Sequence, residues 1–265
     1  MEILSFSVEG KFAHFRKFHG NNTAMSYSLP PRTTITGLLA ALLGEPREAY
    51  HAEFQHDKLK IGIRVETEVK KSFHRLNFLK VVGKEDFSGQ KGRIQTPFEV
   101  VTGNKLQEDM VRYRIYLAAG EPPETYERLK KALLSGTQHY HLSLGIAAFS
   151  AFINRVTLST GTLRQANNEW VEIHSACNSE QVQEIDFPEE AYLKFSFVEE
   201  ELLPADFIGG DKGREVYRMN RILFATRPMP LRVKLSGSYA ELPLADGTTE
   251  NIQFLEYAAV LAQQH

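Results

Sequence analysis

The chain has 265 residues, 42% hydrophobic and 24% charged, with a formal net charge of −2. That composition suits a soluble globular protein in one large domain or two modest ones, and it excludes one that holds nucleic acid through bulk positive charge. The single cysteine, Cys177, excludes an intrachain disulfide and a cysteine-based zinc site.

The first residues, MEILSFSVEG, alternate from Ile3 to Val8 as a strand and lack the basic-then-apolar layout of a signal peptide. No apolar run reaches the length of a membrane span, so the expectation is a cytoplasmic protein with no membrane partner. A long loop follows and closes at Pro30-Pro31. Thr33 or Thr34 then N-caps a helix whose apolar positions Ile35, Leu38, Leu39, Leu42 and Leu43 share one face and which stops at Gly44. Glu45 to His56 reads as a second short helix, with Pro46 near its first position. Leu59 to Val69 alternates as a strand.

Lys70 to Asp109 breaks this rhythm, being rich in glycine and basic residues, with strand-like pieces at Phe78–Val82 and Phe98–Val101. A projecting hairpin or long ordered loop is expected there. Val111 to Ala118 is a strand, Pro123 to Leu134 an amphipathic helix, and Phe149 to Leu158 a further strand. The order is β-α-β-β-α-β, the ferredoxin-like arrangement of RNA-recognition modules, in an α+β chain. Residues 1–158 form this RRM-like domain, with an insertion at about 70–109. Residues 159–265 read as a smaller β-rich part of shorter strands, Trp170–Ile173, Ala191–Val198 and Leu231–Leu235.

Gly10 to Gly44 carries Lys11, Arg16, Lys17 and Arg32, with His14 and His19, and not one acidic residue. Phe12, Phe15, Phe18 and Tyr27 interleave with these cations. Positive charge beside aromatic faces suits a polyanion with rings to stack, which is nucleic acid. The competing reading is a core-packing segment, since three-residue spacing shares a face in a helix. Arg16 and Lys17 weigh against burial because no acid lies near them in sequence, although a remote one would serve. Arg32-Thr33-Thr34 enters a helix, where free N–H groups and the macrodipole favour an anion and Arg32 supplies a bidentate grip. In the insertion, Lys70, Lys71, Arg75, Lys80, Lys84, Lys91 and Arg93 face only Glu85 and Asp86, an excess of five positive charges.

Gly209 to Arg214 (GGDKGR) lacks the P-loop spacing and reads as a turn. No H-E-x-x-H, G-x-S-x-G or helical pair of carboxylates is present, and Cys177 reads as inert. His14 near Arg16 and His74 beside Arg75 are the candidates for metal-independent RNA cleavage, with contact or surface roles the plainer alternative. His139 and His141 stand at strand spacing around Tyr140.

The run Gly10-x-Phe12-Ala13-x-Phe15-Arg16-Lys17-Phe18, followed by Tyr27-x-x-Pro30-Pro31-Arg32-Thr33-Thr34-x-x-Gly37-Leu38-Leu39, resembles the N-terminal signature of the CRISPR-associated Cas-five family. This is a RAMP-superfamily subunit of type I Cascade complexes, here in its Hmari (type I-B) form. Gln95-x-Pro97-Phe98-Glu99-Val100 and Tyr113-Arg114-Ile115-Tyr116 are also similar to its pattern. The resemblance is dense to Gly44, fair to about Leu158, and beyond that one of length and strand content. It implies an RRM-like body with a thumb, matching the 70–109 insertion, that caps the 5′ handle of the crRNA beside a backbone subunit and a large subunit. Target DNA would be read by the guide, and the subunit would use no metal or other cofactor. The implied RNA-binding residues are Lys11, His14, Arg16, Lys17, Tyr27, Arg32, Thr33 and Thr34, with Lys71, Arg75, Arg93 and Gln95 on the thumb. The type I-C branch cuts precursor RNA with a tyrosine in the first helical region and a Lys-His pair. Residues 33–44 hold no tyrosine and no Lys-His dipeptide occurs, so the expectation is a non-catalytic subunit. An endoribonuclease and a protein scaffold are the competing readings.

Overall fold

The computed structural model describes the chain except residues 19–22, 48–49, 80, 82, 91, 121–122, 188–196, 211–212, 245–246, 256–258 and 261–265. The N-terminal alternation becomes β1 (Glu2–Gly10) and is followed by the short strands β2 (Phe12–Ala13), β3 (Phe15–Arg16) and β4 (Ser26–Tyr27). Helix α1 (Arg32–Leu43) then leads to β5 (Leu59–Val65). Two long strands, β6 (Val69–Leu79) and β7 (Arg93–Gly103), precede β8 (Val111–Ala119). Helix α2 (Glu124–Ser135) and β9 (Phe152–Thr160) complete the first part.

A four-stranded sheet runs β5–β8–β1–β9 with every neighbouring pair antiparallel. Its path is β-α-β-β-α-β, with both helices on one face. Phe6, Ile63, Tyr113 and Ile115 of the strands meet Ile35 and Leu39 of α1 and Leu129 and Leu133 of α2 in the main core. Each such fully buried apolar side chain contributes about 1.5–3 kcal/mol. Gly44 ends α1 in the left-handed region (φ 78°), its N–H bonded to the carbonyls of Ala40 and Ala41.

The inserted segment is a hairpin: β6 and β7 pair over their whole length, from Val69↔Gly103 to Leu79↔Arg93. These strands are longer than the short pieces expected. Backbone pairing, rather than an apolar face, holds the outer rungs, which a hydrophobic pattern does not report. The expected Leu59–Val69 strand is divided for the same reason, since Val69 leaves the main sheet and opens the hairpin. Of the short helix expected over Glu45–His56, only a 3-10 turn at Tyr50–Ala52 forms among the described residues.

Beyond β9 the strands are β10 (Thr162–Ile173), β11 (Cys177–Asn178), β12 (Val182–Asp186), β13 (Val198–Gly210), β14 (Gly213–Ala225), β15 (Leu231–Pro243), β16 (Thr249–Ile252) and β17 (Ala259–Val260). The expectation of shorter strands here is overturned: β13, β14 and β15 are each 13 residues long. Their polar positions alternate with buried ones and had masked the strands' length. The expected strand at 191–198 lies mostly outside the described residues. In GGDKGR, Gly209↔Arg214 and Gly210↔Gly213 pair in the β13–β14 hairpin, and the two residues between them lie outside the described residues.

Two sheets, β10–β15–β12 with β16 and β11–β14–β13 with β17, bury Ile173, Leu223, Val233 and Leu235 between them. Ala240, Leu242, Ile252 and Phe254 also cover Ile3, Tyr116 and Ala118 on the face of the first sheet opposite the helices. That is the face an RNA-recognition module uses to stack bases. What remains of it is a polar network: Arg114 donates to Ser5 (2.7 Å), Thr157 (2.6 Å) and the Arg155 carbonyl (2.6 Å).

Candidate nucleic-acid interface

Residues 12–18 of the acid-free run do not form a helix. Phe12 lies half-buried against Phe149 (5.6 Å between ring centres), Phe15 is in the core, and Phe18 is 47% exposed. Phe12 and Phe15 stand on the two short strands β2 and β3, which His14 separates.

Several cations of this run meet acids that the sequence keeps far away. Arg32 is 2% exposed and donates to Asp206 of β13 (2.7 Å) and to the Leu59 carbonyl (2.8 Å). It is therefore a structural ion pair and not a phosphate grip. Lys17 donates to Glu201 (2.8 Å) and lies 5.0 Å from the Tyr27 ring centre. Lys71 reaches the same Glu201 at 3.4 Å and Glu199 at 3.8 Å. Glu201 also accepts from the Ser28 N–H, and Glu199 from the Ser28 hydroxyl. One acidic strand thus neutralises three of the expected RNA-binding cations. Lys11 donates to the Gln107 and Asp109 carbonyls.

Tyr27 is buried, with its hydroxyl pushed up to about 12 by burial and by Glu201, so its ring is closed to a base. His14 is 1% exposed, bonded through Nδ1 to the Glu99 carbonyl (2.7 Å) and stacked on Phe98 with ring centres 4.0 Å apart. Burial holds its pKa below the ordinary value, against the opposing effect of the Glu99 bond. The Cys177 thiol, fully buried, is pushed up to about 12, as fits an inert residue. Thr33 and Thr34 are inside α1 and do not cap it: Pro31 is the cap residue, and its carbonyl accepts from the N–H groups of Thr34 and Ile35. Pro31 precedes the helix because it has no N–H to satisfy there.

Other residues keep the expected exposure. Arg16, at the end of β3, is exposed and has no side-chain hydrogen bond or ion pair among the described residues. It opens onto a cleft of about 670 Å³ between the first turns of α1 and the loop joining α2 to β9. Thr33, Thr34, Phe18, Arg47 and His141 line this cleft with it, and no carboxylate does among the described residues. The loop is drawn in by the His14 N–H bond to the Leu144 carbonyl (3.0 Å). Gly145 makes that approach possible. Its φ is 95°, and an added Cβ would stand 1.9 Å from the His14 carbonyl oxygen. His141 donates to or accepts from Ser150 (3.1 Å). Arg47 and His141 enter the cleft through loops whose path no local pattern announces. Arg75, Arg93 and Gln95 stand exposed on the hairpin, away from the cleft's lining. His74, also on the hairpin, is bonded to Ser72 (3.0 Å). Among the described residues no group of three or more His, Cys, Asp or Glu could hold a metal.

An α+β body with a four-stranded antiparallel sheet, a long basic hairpin and an acid-free cleft defines the class. Residues 3–226 match the family model described as CRISPR-associated protein (Cas_Cas5), and the chain belongs to that family. A CRISPR protein from Archaeoglobus fulgidus shares its fold, with a TM-score of 0.55 at 13% identity, covering 97% of this chain and all of that one. A chain of a CRISPR RNA-guided surveillance complex is similar at a TM-score of 0.50 and 14% identity, covering 87% of this chain and 90% of that one. No curated protein matches the sequence significantly.

Proposed function

We propose that this chain is a non-catalytic RNA-binding subunit of a type I-B Cascade surveillance complex, holding the 5′ handle of the crRNA in the cytoplasm. Its partners in this reading are the crRNA, a backbone subunit and a large subunit, with target DNA engaged only through the complex. The observation that carries the reading is the cleft onto which the exposed Arg16 opens, with no carboxylate among its described lining residues. In a chain of net charge −2 in which Lys17 and Arg32 are paired with acids, an anion-attracting cleft is a local feature that calls for a polyanion. Membership of a CRISPR-associated family and the likeness to a chain of an RNA-guided complex support crRNA as that polyanion.

A second reading has one observation in its favour: His141 stands exposed on the wall of the same cleft, where an imidazole could move a proton. Incubating the protein with repeat RNA in EDTA separates the two. Binding without cleavage is expected, and site-specific cutting abolished by His141→Ala would replace the first reading with an endoribonuclease.

A further inference from the structure

Strand β9 carries a bulge where it passes Ser5 and Ser7. Ser5 pairs with Thr157 and Ser7 with Asn154, so Arg155 and Val156 together stand opposite Phe6. Arg155 holds this bulge in the left-handed region (φ 50°), where glycine is the unstrained choice. The bend aims the Arg155 carbonyl at Arg114 Nη1 (2.6 Å) and leaves the Arg155 side chain exposed, 3.9 Å from Glu66. Arg114 lies on the sheet face away from the helices, with Ser7 opposite it on one side and Arg64 on the other. Its other bonds go to Ser5 (2.7 Å), Thr157 (2.6 Å) and Ser7 (3.4 Å). Every acceptor is neutral, and no carboxylate lies within ion-pair distance of Arg114 among the described residues. Arg64, by contrast, is paired with Glu250. Burial before all else holds the Arg114 guanidinium below its ordinary pKa, and Arg155 and Arg64 press the same way against Tyr116 and Glu66.

We propose that Arg114, Arg155 and the Thr157 hydroxyl form a site for a single oxyanion, a phosphate or carboxylate group, on this face of the sheet. A part-buried guanidinium bonded only to neutral oxygens lacks a counter-charge, and a charged oxygen beside it makes the stronger, charge-assisted bond. The bulge brings a second guanidinium, that of Arg155, within electrostatic reach of the first. The hydroxyls supply a third donor. Ser5 and Thr157 both accept from Arg114 and are bonded to each other (2.8 Å), which uses one of their two protons. The other proton is left to donate, and Thr157 is exposed. Carboxylates on either flank limit the ligand to one anionic group. Glu9 is bound by Arg112 and Asn154, and Glu66 by Ser7, all on this face, so a polyanion laid across it meets both acids. None of these residues lines the cleft. The site is therefore separate from the RNA-binding reading and does not rest on it.

Isothermal titration calorimetry on the full chain tests this, with sodium phosphate and sodium acetate at neutral pH and ionic strength held constant by sodium chloride. One saturable site per chain is expected, and the tighter of the two anions names the source, a phosphate group or a carboxylate. Arg155→Gly should weaken that anion at least about tenfold, the loss of one charge-assisted contact. Because glycine suits the bulge, its thermal unfolding should come at no lower temperature, which confirms a folded variant. Arg155→Asn, which also tolerates the left-handed region, should behave alike. Arg16→Ala, in the cleft, should bind the anion as the unaltered protein does. Saturation by neither anion, an affinity kept in both Arg155 variants, or an affinity lost in Arg16→Ala overturns the proposal. Repeat RNA should bind Arg155→Gly with unchanged affinity and salt slope. A lowered slope makes this face part of the RNA surface and overturns the single-anion site. Absence of RNA binding altogether overturns only the RNA-binding reading.

Discussion

Arg32 shows how far a residue's role depends on what faces it. Beside Thr33 and Thr34 at a helix start it has the chemistry of a phosphate grip, yet its guanidinium is spent on Asp206 and the Leu59 carbonyl, with its Nε buried and unpaired. Removing one partner of a buried pair strands the other charge, so Arg32→Ala should cost about 3–5 kcal/mol in urea-induced unfolding. Replacing both partners with apolar side chains should recover most of that loss. His14 carries the pH dependence at this scale. Because burial lowers its folded pKa, the unfolded chain binds more protons, and stability rises with pH. That stability is full above the unfolded value of about 6.5 and is lost as pH falls towards the lower folded value. His56 and His174 are shifted the same way, also by burial first. His14→Phe preserves a ring against Phe98, and its stability curve below about pH 6.5 should be flatter than that of the unaltered protein.

Elements carry the next set of consequences. The loop from α2 to β9 forms one wall of the cleft only because Gly145 lets it reach the His14 carbonyl. Gly145→Ala combines a positive φ with a contact no side chain tolerates. It should destabilise the protein by about 1–3 kcal/mol and weaken RNA binding further than Arg16→Ala does, measured by unfolding and by anisotropy. The hairpin behaves oppositely. Phe73, Phe78, Phe87 and Ile94 are all exposed, so it contributes little to the core. Replacing residues 74–96 with a short Gly-Ser link should change unfolding free energy by less than about 1 kcal/mol while weakening RNA binding. Its existence was legible in the basic, glycine-rich composition of 70–109. The extent of β6 and β7 was not, because outer rungs held by backbone pairing leave no hydrophobic trace.

At the scale of the whole molecule, the C-terminal part is an integral layer. Leu203, Ile222, Phe224 and Leu255 enter the main core, and Ala240, Leu242 and Phe254 cover Ile3, Tyr116 and Ala118 on the first sheet's second face. A chain cut after residue 158 would end inside β9 and expose Ile3, Tyr116 and Ala118, so it should aggregate or lack a cooperative thermal transition. Arg16→Ala belongs to the same scale because it acts through the field of the cleft. It should leave thermal stability unchanged and lower the salt slope of RNA binding by about 0.7. The sequence by itself determined the β-α-β-β-α-β order, the two helices and the hairpin. Apolar periodicity, stop glycines and composition are local, and each can be read within one segment. It also placed an unusual density of cations and rings in residues 10–44. Only the tertiary structure decided which of those cations remain available. Glu199, Glu201 and Asp206 come from one strand far along the chain, 130 residues from Lys71 to Glu201 and 184 from Lys17 to Glu201, and neutralise Lys17, Lys71 and Arg32. Charge pairing in a folded chain acts through space, and no pattern along the chain records which acid will arrive.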